Sequence, residues 1–166
     1  MLDAIRGAVG FLTRFPIGHD GIAWDAFRSR PVAFPLVGYL IGGLAALPLL
    51  APLPPATAAF GLVVWLYVLT GINHLDGVAD LGDAAVVHGD RERRREVLAD
   101  TTVGVGAVAA VALVVVGLAT AGYTLAQLPA RALALVVASE VGAKTAVALA
   151  ACVGTATQDG LGAQFT

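Results

Sequence analysis

PVAFPLVGYLIGGLAALPLLAPLPPATAAFGLVVWLYVLTGINHL occupies residues 31–75, and none of these positions is Asp, Glu, Lys or Arg. About 20 consecutive apolar residues cross a bilayer as a helix, so the tract is too long for one span and long enough for two. Pro48, Pro52, Pro54 and Pro55 divide it, because proline lacks the N–H a helix interior needs. The division predicts spans over 33–51 and 56–73. Residues 101–130 are again free of charge, and 132–153 carry only Glu140 and Lys144. A third span is predicted over 103–122, a turn at Tyr123 to Pro129, and a fourth span over 132–153.

The rest of the composition agrees. The 166 residues are 58% hydrophobic and 13% charged, with mean hydropathy +0.83, against about 25% charged in soluble domains. A water-exposed surface cannot be built from this material, so the expected fold class is all-α, a polytopic transmembrane helical bundle of about four spans embedded in a lipid bilayer. Residues 1–31 read as a cytoplasmic or interfacial N-terminus, without a small-residue cleavage site. Residues 74–100 read as a cytoplasmic segment. A formal net charge of −2 and no polybasic arm argue against nucleic acid as a partner. The single Cys152 can form no intrachain disulfide and is expected to pack as a small hydrophobe.

Basic residues set the expected orientation. Arg6, Arg14, Arg28 and Arg30 precede the first span and Arg91, Arg93, Arg94 and Arg95 lie in the central loop, eight of the ten Lys and Arg in the chain. The opposite loops hold only Arg131. The positive-inside bias therefore puts the N-terminus and central loop in the cytoplasm, at the cell membrane. Gly38, Gly42 and Gly43, and Gly104 with Gly106, would let helices approach closely.

The chemistry is suggested by Asn73-His74-Leu75-Asp76-Gly77-Val78-Ala79-Asp80-Leu81-Gly82-Asp83. Asp76, Asp80 and Asp83 are spaced i, i+4 and i+7, which at 100° per residue puts them within roughly 60° on one helical face. Like charges so close repel unless a cation or a raised pKa relieves them. Hard carboxylate ligands without a Cys or His pair favour Mg²⁺, with Mn²⁺ as the alternative. Asp76 and Asp83 are about 10 Å apart along the axis, so two ions bridged by Asp80 are the expected arrangement. Gly77 and Gly82 would leave room for a phosphate, and Asp100 could add a fourth carboxylate. His74 could serve as general base, phosphate contact or interfacial polar residue. The Arg91–Arg95 run reads as a solvated helix, with contact to anionic lipid or nucleotide phosphate as the alternative. Glu140 and Lys144, at i and i+4, can pair on a face turned away from lipid, as a functional lining or a structural pair.

His74-Leu75-Asp76-Gly77-Val78-Ala79-Asp80, followed by Asp83, resembles the H-L-D-G-x-A-D-x-x-D signature of the cobalamin synthase family, the adenosylcobinamide-GDP ribazoletransferases. Four further stretches are similar to family motifs in the same order. They are Phe11-Leu12-Thr13-Arg14-Phe15-Pro16, Phe34-Pro35-Leu36-Val37-Gly38, Asp100-Thr101-Thr102-Val103-Gly104 and Gly160-Leu161-Gly162. The resemblance implies a membrane enzyme that joins adenosylcobinamide-GDP to α-ribazole or its 5′-phosphate with release of GMP, using Mg²⁺. It implies Asp76, Asp80, Asp83 and Asp100 as metal ligands, Asp83 and His74 as catalytic groups, and Arg14, Thr101 and Lys144 as substrate contacts. Thr102 stands where the family usually has Arg, and Ala84 where Gly is expected. Ala143-Lys144 and Ala156-Thr157 replace stretches that usually contain Arg. The resemblance also implies further membrane segments beyond these residues, and leaves assembly into a homo-oligomer open. A cation-coupled transporter with an acidic ion site is the rival reading, and an inactive scaffold the third.

Overall fold

The structure, a computed structural model, describes residues 1–100, 102–156 and 162–165, with the side chain of Asn73 left aside. Among these residues the fold is all-helical, as expected. Helices α1 (Leu2–Leu12) and α2 (Gly21–Arg28) form an N-terminal hairpin, followed by α3 (Ala33–Ala45) and the short α4 (Leu47–Leu50). Then come α5 (Pro55–Thr70), α6 (Asn73–Val86), α7 (Arg91–Ala99), α8 (Val105–Leu125) and α9 (Ala134–Val153). Three helical stretches are long and apolar enough to cross a membrane, Ala33–Leu50, Val105–Leu125 and Ala130–Val153, or four if the bent pair α5 and α6 counts as one. These helices mark a membrane protein.

The first span, expected as one helix over 33–51, is interrupted between Ala45 and Leu47. Pro48 has no N–H to offer the carbonyl of Leu44 one turn back, and Trp65 Nε1 of α5 donates to that oxygen instead at 2.9 Å. The same bond fixes α5 against α3. Gly38 and Gly42 then seat α3 against α9. A Cβ on Gly42 would lie 2.6 Å from Val137 Cα, and one on Gly38 2.9 Å from Val141 Cα, so only glycine permits this approach. Gly43, on the other side, faces open space and takes no part.

The second expected span departs most from the sequence reading. α5 ends at Thr70, so its 16 residues rise about 24 Å, short of the roughly 30 Å hydrocarbon thickness. Gly71 adopts φ +71°, and α6 leaves at 100° to α5. The N–H of Arg14 caps the buried C-terminal end of α5 by donating to Leu69 O at 2.8 Å. α6 is therefore a packed helix. Gly82 and Gly106 press α6 onto the first half of α8, with a Cβ on Gly82 only 2.6 Å from Gly106 O.

Other boundaries shift modestly. α8 continues through Tyr123 to Leu125, into the expected turn. α1 is docked along α2 and α3, with Ala4, Ala8, Val9 and Leu12 buried in one core. Around that core Phe11, Trp24, Phe27, Phe34 and Phe165 stack at centroid separations of 4.8 to 6.2 Å. Cys152 is exposed, contrary to the expectation that it packs.

Candidate active site

The elbow between α5 and α6 opens on a cavity of about 820 Å³. Phe11 and Leu12 of the first motif, Phe34 of the second, and His74, Leu75 and Asp76 of the acidic motif all line it. Glu140 and Lys144 of α9 line it from the far side, and Tyr67 of α5 lies between. Segments far apart in the chain thus converge on one space. Arg14 is brought to its rim, its side-chain carbons within 3.6 to 3.7 Å of the position a Cβ would take on Gly71.

The three aspartates of α6 have different fates. Asp83 turns to the start of α8, where Oδ2 accepts from Gly104 N–H at 2.7 Å and Oδ1 from Ala107 N–H at 2.8 Å. A helix start has N–H groups without internal partners, and a carboxylate there is favoured by the helix dipole. Asp83 therefore caps α8 from another helix, linking the acidic motif to the Asp100–Gly104 motif. Asp76 lines the cavity and Asp80 is half-buried, and neither carboxylate has a hydrogen bond or ion pair among the described residues. Asp100 accepts from the Thr102 N–H at 3.0 Å and the Thr102 hydroxyl at 2.8 Å, so Thr102 orients this carboxylate.

Among the described residues, no group of three or more His, Cys, Asp or Glu side chains is gathered to hold a metal ion. The four-carboxylate arrangement expected from the sequence is therefore not assembled as a cage. The donor chemistry still suits Mg²⁺, which is commonly held by one or two carboxylates with substrate phosphates completing its shell. Asp76 and Asp80, one turn apart and uncommitted, fit that role. Asp83, with both oxygens engaged, fits it less well.

Glu140 and Lys144 form an ion pair at 3.1 Å, with side chains 17% and 8% exposed, so this charge pair lies inside the protein. Glu140 Oε2 makes no hydrogen bond in that contact, and Tyr67 Oη is likewise buried without a partner. The sequence pattern pointed to the pair. Tyr67, in an unbroken apolar run, gave no signal. Gly77 faces open space as expected of a ligand approach, whereas Gly82 is used in helix packing. Thr101, Thr157, Gly160 and Leu161 lie outside the described residues.

Fold and site together define a helical membrane protein with a largely apolar cavity let into its bundle, edged by a few polar and charged side chains. A family model described as cobalamin-5-phosphate synthase matches residues 4–166, and the chain belongs to that family. It is 54% identical over its whole length to an adenosylcobinamide-GDP ribazoletransferase of Halorubrum lacusprofundi, covering 68% of that protein. It is 50% identical over 98% of its length to the ribazoletransferase of Haloquadratum walsbyi, covering 66% of it. With that of Halobacterium salinarum it shares 59% identity over 68% of this chain and 57% of the relative. The chain thus spans about two thirds of the length of the first two of these curated relatives. They are named as transferases, and the family places this chain in cobalamin synthesis. No solved structure matches it.

Proposed function

We propose that the protein acts as an adenosylcobinamide-GDP ribazoletransferase, joining adenosylcobinamide-GDP to α-ribazole or its 5′-phosphate and releasing GMP. The observation that carries this reading is the convergence of Phe11, Phe34, His74 and Asp76, from three separate motifs, on one cavity. In this reaction a ribazole hydroxyl forms a new bond to the phosphorus that carries cobinamide, the bond from that phosphorus to the bridging oxygen breaks, and GMP leaves. Asp76 and Asp80 would hold Mg²⁺ together with the pyrophosphate, and the ion would supply neutralisation of phosphate charge. His74, on the cavity wall, would take the hydroxyl proton, a role for which Asp83 is less available because it caps α8. Arg14 at the rim is the cation available to the substrate phosphates, whereas Lys144, expected from the sequence as a substrate contact, is held by Glu140 at 3.1 Å.

The basic residues favour an orientation with the N-terminus and α7 in the cytoplasm, where a nucleotide substrate reaches the elbow. Exposed arginines on α7 support this, including Arg93, paired with Glu96 at 2.8 Å. Labelling of single cysteines at positions 92 and 128 from either side of sealed vesicles would test it.

The catalytic reading is tested by Asp80→Asn in a detergent-solubilised preparation. Mg²⁺-dependent GMP release from adenosylcobinamide-GDP should be lost while the melting temperature is unchanged. Retained activity would overturn the assignment. Cation flux into liposomes without GMP release would instead favour a transporter.

A further inference from the structure

Two polar atoms, Tyr67 Oη and Glu140 Oε2, are buried without a hydrogen-bond partner among the described residues, and both side chains line the 820 Å³ cavity. Leaving a buried hydroxyl such as that of Tyr67 unpaired costs about 1–3 kcal/mol, so it calls for a partner, while Glu140 Oε2 has the Lys144 ammonium beside it but no hydrogen bond. What the partner is follows from charge. Lys144 sits 3.1 Å from Glu140 Oε2 and is only 6% exposed, so its charge is already balanced. An anion entering here would meet a carboxylate oxygen at close range. A neutral group with an O–H or N–H would donate to Glu140 and also accept from the Tyr67 hydroxyl, which can both donate and accept.

We propose that Tyr67 and Glu140, with Lys144 as the fixed counter-ion, form a neutral subsite that binds a hydroxyl or primary amide of a substrate, separate from the phosphate-binding elbow. The inference rests on the function proposed above for the identity of the substrates. Two sources supply this chemistry, the ribose hydroxyls of α-ribazole and the amide side chains of the cobinamide. The wall around the subsite suits either. A second cavity of about 450 Å³, lined by apolar side chains such as Leu62, Val63 and Leu125, meets the first at Leu66, Leu118 and Glu140. A flat ring carried by a polar arm would find its apolar bed there while the arm reaches the Tyr67–Glu140 floor.

The test is Tyr67→Phe in the full chain, which removes one oxygen and keeps the ring. KM for one co-substrate should rise about tenfold, KM for the other should not change, and the melting temperature should hold. A rise for α-ribazole identifies the ribose as occupant, and a rise for adenosylcobinamide-GDP identifies the amides. The double variant Glu140→Gln, Lys144→Gln should move the same constant. If both KM values are unchanged, or if the only effect of Tyr67→Phe is a lower melting temperature, the subsite is wrong. Should the wild type release no GMP, the proposed reaction fails, and equilibrium titration with α-ribazole and with cobinamide still decides the subsite. Weaker binding of one ligand by Tyr67→Phe supports it, and equal or absent binding overturns it.

Discussion

Asp83 and Glu140 are both carboxylates held between helices, each beside a glycine contact, and they are put to opposite uses. Asp83, on α6, spends both oxygens on backbone N–H groups at the start of α8. Glu140, on α9, stands over the Gly42 contact with α3, lines the cavity, and keeps one oxygen beside Lys144 without a hydrogen bond among the described residues. The first carboxylate is consumed by the fold. The second is held in place by the fold and kept open. A side chain's partners, more than its chemical type or its motif, decide whether it is available for chemistry.

The comparison is broken most severely at Lys144. Lys144→Met would leave Glu140 as an uncompensated buried charge, and loss of one partner of such a pair costs about 3–5 kcal/mol. Chemical unfolding in detergent should show that loss, and the double variant Glu140→Gln, Lys144→Met should recover most of it. An unchanged unfolding midpoint in Lys144→Met would mean that the pair is solvated.

The glycine contacts come next. Gly42→Val forces a side chain against Val137 backbone and should cost about 1–3 kcal/mol, as overpacking does. Gly43→Val meets nothing and should leave the melting temperature where it is. Equal effects at the two positions would disprove the face assigned to α3.

Asp83 supplies the third test. Asp83→Ala should destabilise by about 1–2 kcal/mol, the worth of a helix cap. Asp83→Asn keeps one acceptor and should lose less, with GMP release falling only in step with the folded fraction. If Asp83→Asn folds fully and is inactive, the aspartate takes part in the reaction.

The smallest effect is expected at Asp20, the surface counterpart of Asp83. It caps α2 by accepting from Ala23 N–H at 2.9 Å and pairs with Arg6 at 2.7 Å. The Ala23 N–H, and secondarily Arg6, hold its carboxyl below the usual range against an opposing desolvation. A carboxylate with a lowered folded pKa contributes stability above its unfolded value, about 3.9, and loses it as pH falls through the folded value. Melting curves of the wild type should therefore drop relative to Asp20→Asn only below about pH 4.

Much of this was legible beforehand. Charge-free tracts marked the spans because a lipid-facing helix excludes charge, and Glu140 with Lys144 stood out as the only charges inside the last one. The prolines marked the turn between α4, which ends at Leu50, and α5, which starts at Pro55. The 60° arc of aspartates was also real as a helical face, but a face carries no information about what it meets. Asp83 needed the start of α8 beside it, and Gly82 needed Gly106, before either could be read as structure.

The sequence by itself determined an all-helical membrane protein and the family to which it is similar, because hydropathy and motif order are properties of the chain. Only the tertiary structure decided that α5 stops at Thr70, that three motifs share one cavity and that Tyr67 belongs to it. A backbone turn at Gly71 with φ +71° and helix contacts between distant glycines bring those groups together. Residues separated by seventy positions become neighbours through packing, and packing is not written in local spacing.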